Sequence, residues 1–230
     1  VVRAEWTSEK PFDYNGKYYQ VKGGFSQIKP YQKDGIPVFI AGASDAAIEV
    51  AGHHTDVFAL WGETYDEVRK VIAKVKAACA KTGRAVPRFS LSFRPILADT
   101  EEKAWARANA FLEQAKAVQD KTGFARKPGG PANEGSKRLL ALAAKGERLD
   151  KRLWTAMAAL TDARGNSTSL VGTPQQVAES LAEYYDLGID IFLIRGFDPL
   201  IDCIEYGRQL IPATKKLIAE RGNARGVAAE

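Results

Sequence analysis

At 230 residues the chain sits at the upper end of a single domain and is short for two. Its 45% hydrophobic and 27% charged residues exclude an intrinsically disordered chain. Lys and Arg total 33 against 28 Asp and Glu, and this net +5 is dispersed along helical stretches, which argues against a nucleic-acid partner; no apolar run approaches a membrane span of about 20 residues.

The elements read in chain order. Residues 11–21 (Pro-Phe-Asp-Tyr-Asn-Gly-Lys-Tyr-Tyr-Gln-Val) predict a hairpin with its positive-φ turn at Asn15-Gly16. Four apolar runs follow as candidate buried strands: Ile36–Ile40, Val57–Trp61, Phe89–Leu97 and Ile189–Ile194. The first, second and fourth are continuous, which suits parallel strands covered on both faces. Thr64-Tyr65-Asp66-Glu67 is a capping box opening a helix to about Lys81, and Asp99-Thr100-Glu101-Glu102 has the same logic. Thr173-Pro174-Gln175-Gln176 joins an N-cap, a first-turn proline and a capping glutamine, and Asp198-Pro199 opens a last helix reaching about Glu220. Residues 101–122 and 136–162 are helical by pattern, with a break at Lys127–Pro131, and the tail from Arg221 onward reads as frayed.

Alternating strands and helices predict an α/β, βα-repeat fold with a parallel sheet. The roughly seventy residues between the third strand and Pro174 exceed an ordinary crossover, and a helical insertion at a strand's C-terminal end is where βα-barrels build lids. Four strands are half of a (β/α)8 barrel and leave two open edges, so the expectation is that further units precede Val1. Cys79 and Cys203, far apart in amphipathic stretches, read as reduced packing residues of a cytoplasmic protein. With His53 and His54 as the only histidines, a histidine-built zinc site is disfavoured and the metal expectation is none.

Three places carry candidate chemistry. In Phe39–Ala47 a strand ends in Gly42-Ala43-Ser44 and turns into a helix, offering N–H groups, a hydroxyl and a positive dipole end to a phosphate. The same residues serve equally as a tight turn and an ordinary cap. Trp61 ends the second strand, either as a pocket wall or as a plug. Arg94, read within the third strand, Arg164 in the polar loop 165–169 region, and Arg195 at the end of the fourth strand are cations that would suit an anionic substrate, or structural salt bridges.

Taken in order, Phe12–Tyr19, Pro37–Ser44, Asp56–Glu63, Leu170–Pro174 and Phe192–Phe197 resemble the bacterial-luciferase-like superfamily of flavin-dependent monooxygenases, and within it the alkanesulfonate monooxygenase branch. The resemblance implies a luciferase-like (β/α)8 TIM barrel. Residues 1–230 would form one domain, the C-terminal half with about four βα units and a lid or insertion at about 100–169. It implies FMN used as FMNH2, O2 as co-substrate, a separate NAD(P)H-dependent flavin reductase and a homo-oligomeric enzyme. A flavin hydroperoxide would oxygenate a small anionic alkanesulfonate and release aldehyde and sulfite. By position, Gly42, Ala43 and Ser44 match the FMN-phosphate turn, Trp61 the active-site tryptophan and Arg164 the arginine of the mobile loop. Trp61, Arg94 and Arg164 make the expected catalytic set and Gly42, Ala43 and Ser44 the cofactor-binding one, while Arg195, Phe197 and Ser92 are the expected substrate-binding residues. Two departures stand out. Ser92-Phe93-Arg94 replaces an Arg-x-His, and Phe197 replaces a tyrosine, which removes two proton-handling groups. A deazaflavin-dependent dehydrogenase of the same fold and a non-catalytic partner subunit are the alternative readings.

Overall fold

Helix starts are written in local chemistry, and they hold. Ser44, Thr64, Thr100, Thr173 and Asp198 each accept a backbone N–H of the first turn through a side-chain oxygen, and Thr173 with Gln176 completes a reciprocal capping box. The computed structural model describes residues 1–32, 35–123 and 130–227, with side chains as far as Arg221.

The chain divides into two compact units, Val1–Val38 and Phe39–Glu230. The first holds helix α1 (Val2–Thr7) and an antiparallel pair, β1 (Phe12–Asn15) with β2 (Gln20–Gly24). The hairpin is present, but its turn differs from the expected one. Asn15 pairs with Gln20, the loop spans Gly16 to Tyr19, and Gly23, not Gly16, has positive φ. Tyr18 and Tyr19 are therefore exposed loop residues.

The second unit is built on a four-stranded parallel sheet in the order β10-β5-β4-β3, from β3 (Phe39–Ala41), β4 (Val57–Trp61), β5 (Arg88–Phe93) and β10 (Ile191–Ile194). Helices α2 (Asp45–His54) and α3 (Tyr65–Thr82) follow β3 and β4. This is a partial βα-barrel sheet. Register assigns the faces, because side chains alternate along a strand. Ile40, Phe58, Leu60, Phe89, Leu91, Phe93, Phe192 and Ile194 join Val68, Val71, Ile72 and Val75 of α3 in the main core. The opposite face presents Ala41, Ala59, Ser90 and Ile191 in one row and Trp61, Ser92 and Leu193 in the next.

The third expected strand divides. After Phe93 the chain breaks at Arg94-Pro95 and resumes as β6 (Ile96–Leu97), so Arg94 stands at a strand end, not within a strand. Proline lacks the N–H a central ladder needs. β6 opens a second sheet, β6-β9-β8-β7, with β9 (Ser169–Gly172), β8 (Leu153–Trp154) and β7 (Arg148–Leu149). The insertion is α4 (Glu101–Thr122), α5 (Glu134–Ala143), that β7–β8 hairpin and α6 (Ala156–Leu160). The expected helix over 136–162 is thus interrupted, at a hairpin whose turn holds Asp150 and Lys151 at positive φ. Of the expected break at 127–131, residues 127–129 lie outside the described ones.

Helix α7 (Pro174–Asp186) leads into β10, and the last helix runs as α8 (Pro199–Glu205), a π-helical stretch at Tyr206–Leu210, and α9 (Ile211–Val227). The wide turn accommodates Pro212, whose ring crowds a preceding carbonyl and whose missing N–H breaks the regular ladder. Helix continues through Val227, past the tail expected to fray; residues 228–230 lie outside the described ones. Cys79 is buried as expected, whereas Cys203 is exposed, not the packing residue expected of it. Among the described residues no helix is long and apolar enough to cross a membrane.

Two buried tyrosines, Tyr184 and Tyr206, and the half-buried Tyr65 give a pH signature. Burial, ahead of nearby acidic groups, holds the phenols of Tyr65, Tyr184 and Tyr206 above their ordinary range. The unfolded chain then releases these protons first as pH rises. Stability should be full below about pH 10 and fall above it, by about 1.4 kcal/mol per pH unit for each tyrosine. Urea midpoints at stepped alkaline pH should show this slope, and Tyr206→Phe should flatten it by one proton's worth.

Candidate functional site

The candidate residues gather at the C-terminal ends of the parallel strands. β3 runs through Gly42-Ala43-Ser44 into α2, with Ser44 in extended backbone geometry and its Oγ accepting from Ala47 N at 3.2 Å. A Cβ at Gly42 would lie 2.7 Å from that of Ala47, so the tightness of the turn depends on glycine. Gly42, Ala43 and Ser44 line a cavity of about 700 Å³, walled by Ala59 and Trp61 of β4 and by the first turn of α5. The Trp61 ring lies against that turn: a Cβ on Gly135 would be 3.2 Å from its six-membered ring.

Glu63 also lines the cavity. Its carboxylate is buried and takes a two-point bond from Arg138 of α5, Nε to Oε1 at 2.9 Å and Nη2 to Oε2, while Nη2 also reaches Glu67 at 3.3 Å. Glu63 raises the Arg138 pKa above its usual value, overcoming the opposing effect of burial. The Tyr184 hydroxyl donates to the Glu63 carbonyl at 2.6 Å. This clamp, which fastens the insertion to the sheet, was not legible in sequence: its partners are 75 residues apart. Glu63 appeared there only as the end of a strand motif.

One strand further along lies a second group. Continuing the alternation of β5 and β10 from Ser92 and Leu193 brings Arg94 and Arg195 to the same face. Arg94 donates from Nε to the Asn166 carbonyl at 3.0 Å and from Nη1 to the Gly196 carbonyl at 2.9 Å, with its Cζ 5.4 Å from the Phe197 ring centroid. Burial, and then the charge of Arg195, pull its pKa below the usual guanidinium value. The Asn166 side chain donates to Ser92 Oγ at 2.7 Å, and Thr168 Oγ1 donates to the Gly62 carbonyl at 2.8 Å. Asn166 is a residue that composition and spacing did not single out; its burial in a polar loop is a tertiary fact.

Arg164 is exposed, one residue after Ala163 and one before Gly165, both at positive φ. Residues 166–168 then fasten the loop to the second group. Gly42, Ala43, Ser44 and Trp61 therefore share one cavity, and Ser92, Arg94, Arg195 and Phe197 cluster beside it on the same sheet edge. His53 and His54 stand at the far end of α2, about 15 Å of helix from Ser44.

Known proteins share this fold. The family model "Luciferase-like monooxygenase" matches residues 1–190. Riboflavin lyase RcaE, solved with modified FMN and riboflavin, is similar at 21% identity and TM-score 0.66, over 92% of this chain and 49% of that one. The EDTA monooxygenase EmoA from Chelativorans sp. BNC1 is similar at 21% identity and TM-score 0.58, over 95% and 54%. An F420-dependent secondary alcohol dehydrogenase, solved with an F420-acetone adduct, is similar at 14% identity and TM-score 0.59, over 92% and 58%. The chain spans about half the length of these solved structures. With a family match over most of its length and a parallel sheet of the matching kind, this chain belongs to the luciferase-like monooxygenase family.

Proposed function

We propose that the protein is an FMNH2-dependent, two-component monooxygenase, served by a separate NAD(P)H-dependent flavin reductase and acting on an alkanesulfonate-like substrate. The carrying observation is one cavity that joins a helix-capped Gly-Ala-Ser turn to a tryptophan wall. The turn fits a phosphate, since backbone N–H groups and the helix dipole favour an anion there. The cavity volume is in the range of ordinary cofactor pockets. FMN in the riboflavin lyase structure supports the cofactor assignment, and an acidic substrate is named for the EDTA monooxygenase.

In this reading Gly42, Ala43 and Ser44 hold the phosphate and Trp61 walls the ring system. Bound reduced flavin supplies the electrons that activate O2. Arg94 and Arg195 face the substrate's anionic group. Residues of about 100–169, Arg164 among them, act as the lid that excludes water. The balance is alkanesulfonate, FMNH2 and O2 to aldehyde, sulfite, FMN, water and a proton. Ser92 and Phe197 offer no titrating group at neutral pH, so positioning and charge carry the work of this part of the site.

The test is sulfite release with FMN, NADH, a flavin reductase and a panel of alkanesulfonates. Substrate-dependent sulfite is expected, and its absence across the panel would refute the sulfonate assignment. A parallel titration with F420 separates the dehydrogenase reading: tighter F420 than FMN binding, with hydride transfer and no O2 uptake, would replace the oxygenase. Ser44→Ala should weaken FMN binding roughly tenfold, the worth of one charge-assisted hydrogen bond. Flavin fluorescence titration measures it.

A further inference from the structure

Asp202 of α8 is almost wholly withdrawn from water, 3% exposed, and both its oxygens are engaged. Oδ1 accepts from Arg107 Nη2 of α4 at 2.7 Å, and Oδ2 accepts from Asp198 N at 2.9 Å. The same guanidinium donates from Nη1 to Glu205 at 2.8 Å and to the Leu97 carbonyl, at the end of β6, at 2.8 Å. Arg107 thus ties α4, β6 and α8 at one point, and Asp202 passes the tie to the turn 195–198. That turn has no slack on this side, because a Cβ on Gly196 would collide with the Asp202 side chain. One helical turn beyond Arg107, Phe111 stacks on Phe197, their centroids 4.9 Å apart and their rings 27° from parallel. The Arg107 Cζ lies 5.6 Å from the Phe111 centroid, and the Arg94 Cζ 5.4 Å from that of Phe197. Arg107, Phe111, Phe197 and Arg94 therefore make one chain of ring contacts from the insertion to the strand joint.

We propose that Arg107 and Asp202 are positioning residues: as one unit they set the turn 195–198, and with it Phe197 and the Gly196 carbonyl that holds Arg94. A well-packed apolar pair would hold α4 on α8 as firmly as this ion pair does. Only a planar fork fixes two carboxylates and a carbonyl at once, which is a gain in geometry. Asp198 also caps Ile201 N, so the turn and α8 are held as one piece. The role in turnover rests on the proposed function; the hold on the turn does not.

Two readouts test it: sulfite release with FMN, NADH, a flavin reductase and the alkanesulfonate panel, and hydrogen exchange of the peptide spanning 195–198. Arg107→Lys keeps the charge and loses the fork. It should raise KM for the most active alkanesulfonate about tenfold and leave kcat within about twofold. FMN affinity should stay as it was, since the Gly-Ala-Ser turn follows β3 and β4 lies between that strand and β5. Exchange in the turn should quicken about tenfold, with β4 and α3 unchanged. Asp202→Asn keeps an acceptor for Asp198 N but loses the charge, and should act alike; the two changes together should do no more than either alone. Arg84→Lys, which loosens an ion pair with Asp56 before β4, should move neither readout. Should Asp202→Asn fail to fold, Arg107→Lys decides alone. Exchange in the turn that ignores Arg107→Lys would overturn the proposal. So would a loosened turn with KM unchanged, or a joint fall of kcat and FMN affinity that follows the urea midpoint, the mark of a purely structural pair. No sulfite from the unmodified protein across the panel would fell the sulfonate reading alone, and the exchange response would still decide whether the pair sets the turn.

Discussion

Arg138→Met should cost the fold about 3–5 kcal/mol, the usual penalty for stranding one charge of a buried pair. The Glu63 carboxylate would keep its burial and lose both guanidinium bonds, while Glu67, nearer solvent, would lose only a minor partner. Methionine retains much of the side-chain volume, so the loss would be electrostatic. The discriminating measurement is a double-mutant cycle by urea unfolding. Glu63→Gln with Arg138→Met should recover most of the single-mutant loss, because a neutral amide tolerates the site. A single-mutant loss under about 1 kcal/mol would mean that water screens the pair as on an open surface. Against a typical total stability of about 5–15 kcal/mol, the expected loss would leave little margin. It would also free the first turn of α5 from the cavity, so flavin affinity should fall with it.

Gly62→Ala should destabilise by about 3 kcal/mol, at the upper end of ordinary overpacking. A Cβ there would lie 2.0 Å from the nearest carbon of the Phe93 ring, and Phe93 is fully buried against Tyr184, 5.1 Å between centroids. The backbone has no room to retreat. Gly62 N donates to the Ser92 carbonyl at 2.9 Å, and the Gly62 carbonyl accepts from Thr168 at 2.8 Å. Retreat would break the bonds that join β4 to β5 and to the loop at Thr168. Shrinking the obstacle should help: Gly62→Ala with Phe93→Leu should be more stable than the sum of the two changes. Thermal and denaturant midpoints of the four proteins decide it, and strict additivity would show that the ring simply moves aside.

What could be read from sequence was local. Thr64, Thr100 and Thr173 fixed three helix starts because a cap needs only its own first turn, and Val57–Trp61 was bounded correctly because its apolar run is continuous. The parallel sheet and the family followed from the order of such pieces. Readings failed where a distant partner decides. The run Phe89–Leu97 looks like one strand, yet Pro95 ends the pairing with β10 and the following residues find β9 instead. The 136–162 stretch has helical periodicity, but Leu153 and Trp154 are claimed by Leu170 and Ser169. In the site, Ser44 and Trp61 were visible because strand ends are visible. Arg138 and Asn166 were not, since each earns its place through a contact more than seventy residues away.

The break at Arg94-Pro95 makes one covalent stretch serve two sheets. A tilt of the smaller sheet bears on that joint, and the guanidinium next to it holds both the Asn166 and the Gly196 carbonyls. A shift of the smaller sheet and a rearrangement of the cationic corner are therefore coupled through the Arg94 side chain.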